Sequence, residues 1–469
     1  MSEVPEAELE QPVAIIGGGL AGLAAAVGLA SQGIRAELFE ARRQLGGRAA
    51  SFRDPVTDEL IDYCQHVSMG CCTNLADFCQ RTGIADEFDR HRVLHFFTAD
   101  GRRYDLAASR WLPAPLHMMR ALLRLNYLSI AERMSIAGTM WRLARLPADI
   151  DEPAGDWFRV HGQSDRAIEQ FWSVVLTSAL GESLDRASIR SARHVFADAF
   201  LADRTACDVL IPRRPLSELF DQRVADWLGN RGAAIHRART VEQVHVANGR
   251  VQHILLDDGA RVDVSGAVIA VPWRRASQLF DSTLLDGPLG ALRAAETIEG
   301  SPITGVHLWF DRPITSLEHA VLVGMLSQWM FNRGAQHATE HYYQVVISAS
   351  RALQTMARTE IVAKVVDELK RIWPEAAEAR IVQARVVTDP AAVFSPAPGV
   401  DRLRPRQATP IANLAVAGDW TDTAWPATME GAVRSGYAAA EAILADKGFK
   451  ARLLVPDLPR PALARWLGL

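Results

Sequence analysis

Hydrophobic positions near the start of the chain form a short continuous run and then recur at helical spacing. Residues 13–16 (VAII) are apolar and are followed by glycine, which is typical of a strand buried in a parallel sheet. Glycine occurs at positions 17, 19 and 22, and the Ala- and Leu-rich segment after it predicts a helix over 20–32 that ends at Gly33. A second strand is predicted over 35–39. This order predicts an α/β fold with a parallel sheet.

The three glycines have the spacing of a dinucleotide-binding turn. Gly17 allows a tight turn, Gly19 lets the backbone approach a pyrophosphate, and Gly22 lets the helix pack on the strand. The first amides of the helix, at Leu20 and Ala21, would face the phosphates together with the positive end of the helix dipole.

An acidic residue closes the second predicted strand. Glu40 lies about 20 residues after the turn, where a carboxylate accepts hydrogen bonds from ribose hydroxyls, and Ala41 follows it in the same pocket. A glycine-rich turn that serves only packing is the alternative. The combination of strand, helix and acid favours the cofactor.

The same periodicities predict elements along the rest of the chain. Helices are expected over 74–82, 116–145, 165–179, 215–231 and 360–373. Strands are expected over 234–246, 251–256, 268–271, 304–310, 321–331 and 342–348. Residues 72–200 are therefore expected to be mostly helical, and residues 276–400 are expected to be built on strands.

Composition excludes several classes of function. A net charge of −4 gives no reason to expect a nucleic-acid partner. The five cysteines form no C-x-x-C pair and lack metal-ligand spacing, so we expect no metal and no disulfide framework, as in a reducing cytoplasm. Residues 3–10 carry acids and no base, which is the wrong charge for a signal peptide. No apolar run is long enough to span a bilayer.

Two further motifs lie far apart in the chain. Residues 42–48 (RRQLGGR) place a second glycine pair and an arginine just after Glu40, and residues 414–420 (LAVAGDW) predict a strand that ends in Gly-Asp. On these motifs the chain resembles the FAD-dependent amine oxidase and phytoene desaturase superfamily. The resemblance implies FAD as the cofactor, held by both ends of the chain. Besides the turn and its acid, the contacts that it implies are Gly47, Arg48, Val241, Gly418, Asp419, Met429, Glu430 and Ala432.

The resemblance also implies a domain organisation. It predicts a Rossmann-like FAD-binding domain of the glutathione-reductase type, with an inserted mixed α+β substrate domain. We expect residues 1–71, 201–275 and 401–447 in the FAD-binding domain, 72–200 and 276–400 in the substrate domain, and 448–469 in a C-terminal tail.

Shorter segments resemble the squalene-associated branch of this superfamily, the hydroxysqualene dehydroxylases. They are residues 62–70, 111–116, 161–171, 307–313, 345–352, 394–405 and 418–436. The resemblance implies that reduced FAD replaces the allylic hydroxyl of hydroxysqualene, a lipophilic C30 isoprenoid, with hydrogen. Squalene and water are the products, on the way to hopanoids.

Two other functions remain open at this stage. The flavin motifs do not fix the direction of electron flow, so carotenoid desaturation of the phytoene type, or another oxidation of an isoprenoid, is the enzymatic alternative. A flavin-free protein that binds prenyl groups, like the Rab escort proteins, is the non-enzymatic one, and the intact glycine motif argues against it. The electron donor that would reduce FAD is unknown.

Histidines are the candidate catalytic groups. His66 is the candidate proton donor or orienting group, because histidine titrates near neutrality and relatives bring this turn to the flavin. A histidine that bonds only backbone or cofactor is the alternative. His307, on a predicted strand, is the second candidate. Cys64 stands where the branch usually has glycine, so we expect strain there if the turn needs positive φ.

One segment combines apolar and basic residues in a way that suits a membrane surface. Residues 111–146 interleave Leu, Met and Trp with five arginines. They predict either an interfacial amphipathic helix or an ordinary helix with a solvated basic face. We expect a cytoplasmic protein, peripheral on the inner face of the cytoplasmic membrane if the first interpretation holds.

Overall fold

A computed structural model describes residues 11–337, 340–460 and 463–464 of the 469-residue chain. The acidic segment at residues 3–10 lies outside the described residues.

A five-stranded parallel sheet forms the base of the fold. Its strands lie in the order Ala234–Arg237, Ala36–Glu40, Val13–Ile16, Gly266–Ile269 and Leu414–Val416. Alternate residues of the central strand face opposite layers. Val13 and Ile15 belong to the core that includes helices Leu20–Ser31 and Met429–Asp446, and Ala14 and Ile16 belong to the core on the other face. The predicted Rossmann-like α/β class is confirmed.

This sheet brings the two ends of the chain together. Gly17 directly follows the strand Val13–Ile16, and Gly418 comes two residues after the strand Leu414–Val416. The strand Gly266–Ile269 lies between these two strands and is parallel to both. Both motifs therefore emerge at the carboxyl edge of one sheet, which is where open α/β sheets bind ligands.

The second large sheet has seven strands and is mixed. Its strands lie in the order Ile381–Phe394, Gly300–Phe310, Glu340–Ser348, Trp329–His337, His319–Leu322, Val93–Phe97 and Arg103–Ala107. All neighbours are antiparallel except His319–Leu322 and Val93–Phe97. Helix Arg358–Ile372 packs on one face of this sheet, and a helical layer from residues 116–200 covers part of the other.

Small sheets and helices complete the described fold. The smaller sheets pair Ser51–Arg53 with Leu60–Asp62; Ser68–Met69 and Phe88–His91 with Val209–Pro212; and Val241–Ala247 and Arg261–Asp263 with Arg250–Leu256. The remaining α-helices are Thr73–Thr82, Met119–Arg124, Ile130–Ala144, Ala154–Val160, Asp165–Ala167, Ser173–Leu180, Ile189–Arg193, Val224–Gly229, Trp273–Ala276, Ser282–Leu285, Gly290–Ala295 and Pro374–Glu378. Short 3₁₀ helices lie at Ala85–Glu87, Leu116–Met118, Ser277–Leu279, Ser350–Leu353 and Val400–Leu403, and π-helical turns at Ile168–Trp172, His194–Phe200 and Glu218–Arg223.

Three predicted elements are wrong because each contains a break. The helix expected over 116–145 is interrupted before Ser129, whose hydroxyl and backbone form a capping box with Glu132 and so start a new helix. The strand expected over 234–246 is broken at Ala238, which has a φ of +54°. The strand expected over 321–331 is a hairpin that turns at Gly324, where φ is +66°.

Several strands were missed, among them the short strands Ser51–Arg53, Leu60–Asp62, Ser68–Met69, Val209–Pro212 and Arg261–Asp263. Residues 88–107 contain three strands inside the region expected to be mostly helical, and Ile381–Phe394 forms an edge strand that no prediction included. The division into domains stays a prediction. No helix within the described ranges is long and apolar enough to cross a membrane.

Candidate active site

The first glycine turn is closely packed on the sheet. Gly17 has a φ of +108°, and a Cβ there would lie 2.6 Å from the carbonyl oxygen of Ala270. A Cβ on Gly22 would lie 1.9 Å from the carbonyl oxygen of Gly17. Only glycine fits at either position, so the helix Leu20–Ser31 begins directly against the strand. Its first amides point to the open space beside the turn, as an anion site requires.

Glu40 is fixed beside this turn. Its Oε2 accepts a hydrogen bond from the Gly18 amide at 2.7 Å, and its Oε1 accepts one from the Arg42 amide at 2.8 Å. The Arg239 amide donates to the carbonyl oxygen of Glu40 at 2.9 Å, which brings the start of the strand containing Val241 next to the acid. The acid, the turn and this strand therefore meet at one place.

The second glycine pair lies against the first turn. The Gly46 amide donates to the carbonyl oxygen of Gly18 at 2.8 Å, and a Cβ on Gly47 would lie 3.1 Å from the Cα of Gly19. Gly46 and Gly47 both have positive φ, at 98° and 63°. The backbones of the two glycine segments are therefore in direct contact and form one surface of peptide groups.

Arg48 links the two ends of the chain. Its Nη2 donates to Oδ1 of Asp419 at 2.5 Å, and its Nη1 donates to the carbonyl oxygen of Ala392 at 2.8 Å. Asp419 is almost fully buried. The ion pair brings together the N-terminal and C-terminal motifs, which the sequence predicts as parts of one site.

The C-terminal motif is held by buried polar contacts. Gly418 has a φ of +147°, and its amide donates to Oγ of Ser435 at 2.8 Å. Arg404, which is buried, donates to the carbonyl oxygens of Thr421 at 2.6 Å and Trp425 at 2.8 Å. These bonds fix the loop between Gly418 and the last helix.

The helix Met429–Asp446 begins with a side-chain cap. Thr428 accepts from the Gly431 amide with its hydroxyl at 3.0 Å and from the Ala432 amide with its carbonyl oxygen at 3.0 Å. These bonds do not engage the amides of Met429 and Glu430, which remain available to a ligand in the first turn. Of the predicted contacts, the amide of Ala432 is thus engaged by the cap.

The carboxylate of Glu430 turns away to a neighbouring helix. It accepts from the Asn74 amide at 3.1 Å, the Leu75 amide at 2.7 Å and the Arg434 guanidinium at 2.6 Å. Its side chain therefore caps the helix Thr73–Thr82. Any contact of Glu430 with a cofactor has to come from its backbone, and this contact stays a prediction.

His66 is half-buried in the predicted turn. Its Nδ1 lies 2.9 Å from the carbonyl oxygen of Cys64, and burial lowers its pKa. Cys64 is not among the non-glycine residues with positive φ, so the strain expected there is absent. The geometry does not decide between a proton donor and a histidine that bonds only backbone, and the catalytic role of His66 stays a prediction.

His307 is fully buried in the seven-stranded sheet. Its Nδ1 lies 2.8 Å from the hydroxyl of Tyr342, and burial lowers its pKa to about 4. The His307 ring is therefore neutral at physiological pH and cannot act as a cationic proton donor.

A large apolar cavity lies between the seven-stranded sheet and the helical layer. Its volume is about 370 Å³. The sheet contributes Leu94, Phe96, Leu106, Val321, Trp329, Phe331 and Val346 to its lining, and the helical layer contributes Met119, Leu122, Met140, Phe171, Val174 and Phe196, among others. Trp425, Pro426, Thr428 and Met429 line it as well, so it reaches the start of the last helix.

The residues present fit a flavin dinucleotide. The helix Leu20–Ser31 and its glycine turn lie at the carboxyl edge of the sheet beside Glu40, and the start of the helix Met429–Asp446 lines the apolar cavity. Backbone amides of this kind bind pyrophosphate, and a fixed acid binds ribose. Within the described part of the chain, no group of three or more His, Cys, Asp and Glu side chains could hold a metal ion.

Comparison with known families decides the assignment. The family model for flavin-containing amine oxidoreductases matches residues 20–444. The chain belongs to this family. It is therefore a flavin-dependent oxidoreductase. The match begins at Leu20, inside the first cofactor motif, and includes the whole of the C-terminal one.

Its relatives include enzymes of isoprenoid metabolism. A hydroxysqualene dehydroxylase of Sinorhizobium fredii is 28% identical, and the match covers 92% of this chain and 98% of the relative. A zeta-carotene desaturase of Synechocystis is 26% identical, with 93% and 97% covered. A solved oxidoreductase from Methanosarcina mazei has a TM-score of 0.72 at 16% identity, covers 92% of this chain and 100% of its own, and supports the fold alone.

Sequence reasoning missed three functional features of this oxidoreductase. Arg404 is one, because its acceptors are carbonyl groups that no motif records. The cavity is another, because its lining comes from many separate segments. The third is His194, a lining residue whose ring lies 5.0 Å from that of Trp425, and its position in a helical region gave no signal.

Proposed function

We propose that the protein is an FAD-dependent hydroxysqualene dehydroxylase that reduces its substrate to squalene. The observation that carries the proposal is the apolar cavity that ends at the first turn of the helix Met429–Asp446. A C30 hydrocarbon chain needs such a lining along most of its length. The relatives that act on hydroxysqualene support the same substrate class.

FAD is the flavin that these residues would hold. The turn Gly17–Gly22 and the pair Gly47–Arg48 would bind the pyrophosphate, Glu40 the ribose, and Val241 the adenine. Asp419 and the amides of the last helix would hold the flavin side. When bound and reduced, FAD supplies a hydride to an electron-poor carbon.

The side chains of the protein would orient the substrate and keep water away from it. Aromatic and aliphatic side chains make up most of the cavity lining and would exclude water from a reacting allylic carbon. A cation formed there would be protected from capture by water. The protein must also supply one proton to the departing hydroxyl.

Carotenoid desaturation is the second candidate function. The zeta-carotene desaturase relative matches nearly the same share of this chain at 26% identity. The same cavity would suit a carotenoid, and only the direction of electron transfer would differ.

Product analysis under anaerobic conditions separates the two functions. Reduced protein is incubated with hydroxysqualene, and oxidised protein with phytoene or zeta-carotene. We expect squalene from the first mixture, identified by mass, together with reoxidation of the flavin. A dehydrogenated carotenoid from the second mixture, with no squalene from the first, would reverse the assignment.

We further propose that the helix Ile130–Ala144 contacts a membrane surface. Ile130, Met134 and Trp141 follow one face of this helix and are 72%, 58% and 39% exposed. Trp141 and Ala137 on the same face also line the cavity. Exposed arginines lie near this stripe, and the guanidinium of Arg145 lies 3.6 Å from the Trp141 ring centroid. Substrate could thus enter from lipid without crossing water.

Vesicle sedimentation tests this contact. We expect the protein to bind vesicles of phosphatidylethanolamine and phosphatidylglycerol. The double variant I130E/M134E should bind more than about tenfold more weakly, because two apolar side chains lose their burial. Val56→Glu is the matched control, since Val56 is 72% exposed and lies outside this helix. Equal binding by all three proteins would contradict the proposal.

A further inference from the structure

His194 stands at the cofactor end of the apolar cavity. Its ring is half-buried, lines the cavity and packs edge-on against Trp425, with 5.0 Å between ring centroids. Trp425 and the residues after it lead into the first turn of the helix Met429–Asp446. His194 is therefore placed where the lipophilic cavity meets the flavin motif.

The other polar groups of the described lining are poor proton donors. Burial and neighbouring charge raise the pKa of Cys207 to about 11, and the pKa of Cys71 lies well above its usual value, largely through its hydrogen bond with Cys72. Glu430 accepts bonds from a helix terminus and from Arg434, so its oxygens are occupied. Hydroxyl and amide groups do not act as acids at neutral pH. Imidazole is the side chain that exchanges a proton in this range.

The local backbone also sets His194 apart. It is the first residue of the π-helical turn His194–Phe200, which continues the helix Ile189–Arg193. Such widened turns are frequent at functional sites, where they reorient the side chains of a helix. Val195, Phe196 and Ala199 of the same turn line the cavity too.

We infer that His194 is the acid that protonates the leaving hydroxyl of the substrate, an inference that rests on the proposed dehydroxylation. The imidazolium gives its proton to the hydroxyl oxygen. The carbon–oxygen bond then breaks with its electron pair on oxygen, and water leaves. The allylic carbon is left as a cation, and a bound reduced flavin would supply the hydride that it needs and would itself be oxidised by that loss. Neutral His194 recovers its proton from solvent.

A change of leaving group tests this role. His194→Gln is compared with the wild type on hydroxysqualene and on the corresponding allylic chloride, whose leaving group needs no proton. With the alcohol we expect squalene formation to fall by about 10²–10⁴-fold, the usual contribution of a general acid. With the chloride, corrected for solvolysis without protein, the variant should match the wild type.

His245→Gln is the matched control, because His245 is exposed on the strand Val241–Ala247. Equal rates for His194→Gln and the wild type on the alcohol would overturn the role of His194 and leave the proposed function intact. Equal losses on both substrates would also overturn it, since the residue would then shape the cavity only. A wild type that makes squalene from neither substrate would overturn both proposals.

Chemical labelling gives a readout that does not depend on turnover. Diethylpyrocarbonate modifies accessible imidazoles, and peptide mass spectrometry reports each histidine. We expect squalene to protect His194 of the wild-type protein from modification and to leave the labelling of His245 unchanged. Equal labelling of His194 with and without squalene would show that it does not face the bound chain, and would overturn the inference.

Discussion

Individual residues of the candidate site are held by partners far away in sequence. Glu40 and the glycines could be predicted because their chemistry is local, with a turn and an acid at fixed spacing. The pair Arg48–Asp419 and the acceptors of Glu430 could not, because only the folded chain brings residues separated by more than 350 positions into contact. Glu430 illustrates the difference: its motif predicts a flavin contact, whereas its side chain caps another helix.

Because Glu430 is buried, removing its charge should lower the free energy of unfolding substantially. Glu430→Gln keeps the size of the side chain but removes the charge that Arg434 and the amides of Asn74 and Leu75 share. We expect the free energy of unfolding in urea to fall by about 3 kcal/mol, since a buried ion pair is broken. Glu360→Gln is the control. That glutamate is about half exposed, and its variant should change stability by less than about 0.5 kcal/mol. Similar losses in both variants would contradict the role given to Glu430.

At the scale of elements, the hydrophobic periodicity predicted where a helix or strand is present better than it predicted whether that element is continuous. The strand Val13–Ile16 and the helix Leu20–Ser31 were predicted almost to the residue, because both are uniformly buried. The helical region 116–145 was not, because its interruption depends on a capping box at Ser129 rather than on a change of hydrophobic spacing. The strands at 88–107 were missed because their alternation of buried and exposed residues is incomplete.

The seven-stranded sheet predicts a dependence of stability on pH. His307 and His319 are buried within it, and burial lowers the pKa of each to about 4; for His319 the charges of His91 and His95 add to this effect. In the unfolded chain their pKa returns to about 6.5, so the unfolded state binds more protons between these values. Stability should be full above about pH 6.5 and should fall as the pH drops toward 4, by about 1–3 kcal/mol per histidine.

Urea unfolding at several pH values measures this slope. His319→Gln should flatten it, because one of the buried imidazoles is absent. His245→Gln should leave it unchanged, since its ring is exposed. A variant at His319 with the slope of the wild type would contradict the assignment.

At the scale of the whole molecule, the cavity is the feature that joins the parts. It is lined by one sheet, the helical layer and the start of the last helix, so no single segment of sequence predicts it. The fold class and both cofactor motifs were predictable, because each depends on short-range patterns. The enclosed volume was not, because it depends on how separate layers pack.

Filling the cavity should separate substrate binding from cofactor binding. Ala137→Phe adds a ring at a lining position of the helix Ile130–Ala144, away from the cofactor motifs. We expect squalene to bind about tenfold more weakly, since overpacking by one large side chain costs about 1–3 kcal/mol, with flavin content unchanged. Quenching of tryptophan fluorescence measures binding, because Trp141 and Trp329 line the cavity. Ala131→Phe, at an exposed position of the same helix, should bind as the wild type does.

The order of strands in the five-stranded sheet bears on how the protein is made. Val13–Ile16 pairs with Ala36–Glu40 and Gly266–Ile269, and Gly266–Ile269 pairs with Leu414–Val416, so the sheet is completed only when its last strand has been made. At ribosomal speeds of about 5–20 residues per second, the earliest glycine turn emerges roughly 20–80 s before its counterpart near residue 418. Until then the apolar strand Gly266–Ile269 lacks one of its two neighbours. A translation product that stops near residue 400 would therefore lack half of the flavin cradle, and colour in a newly made preparation would report completed synthesis.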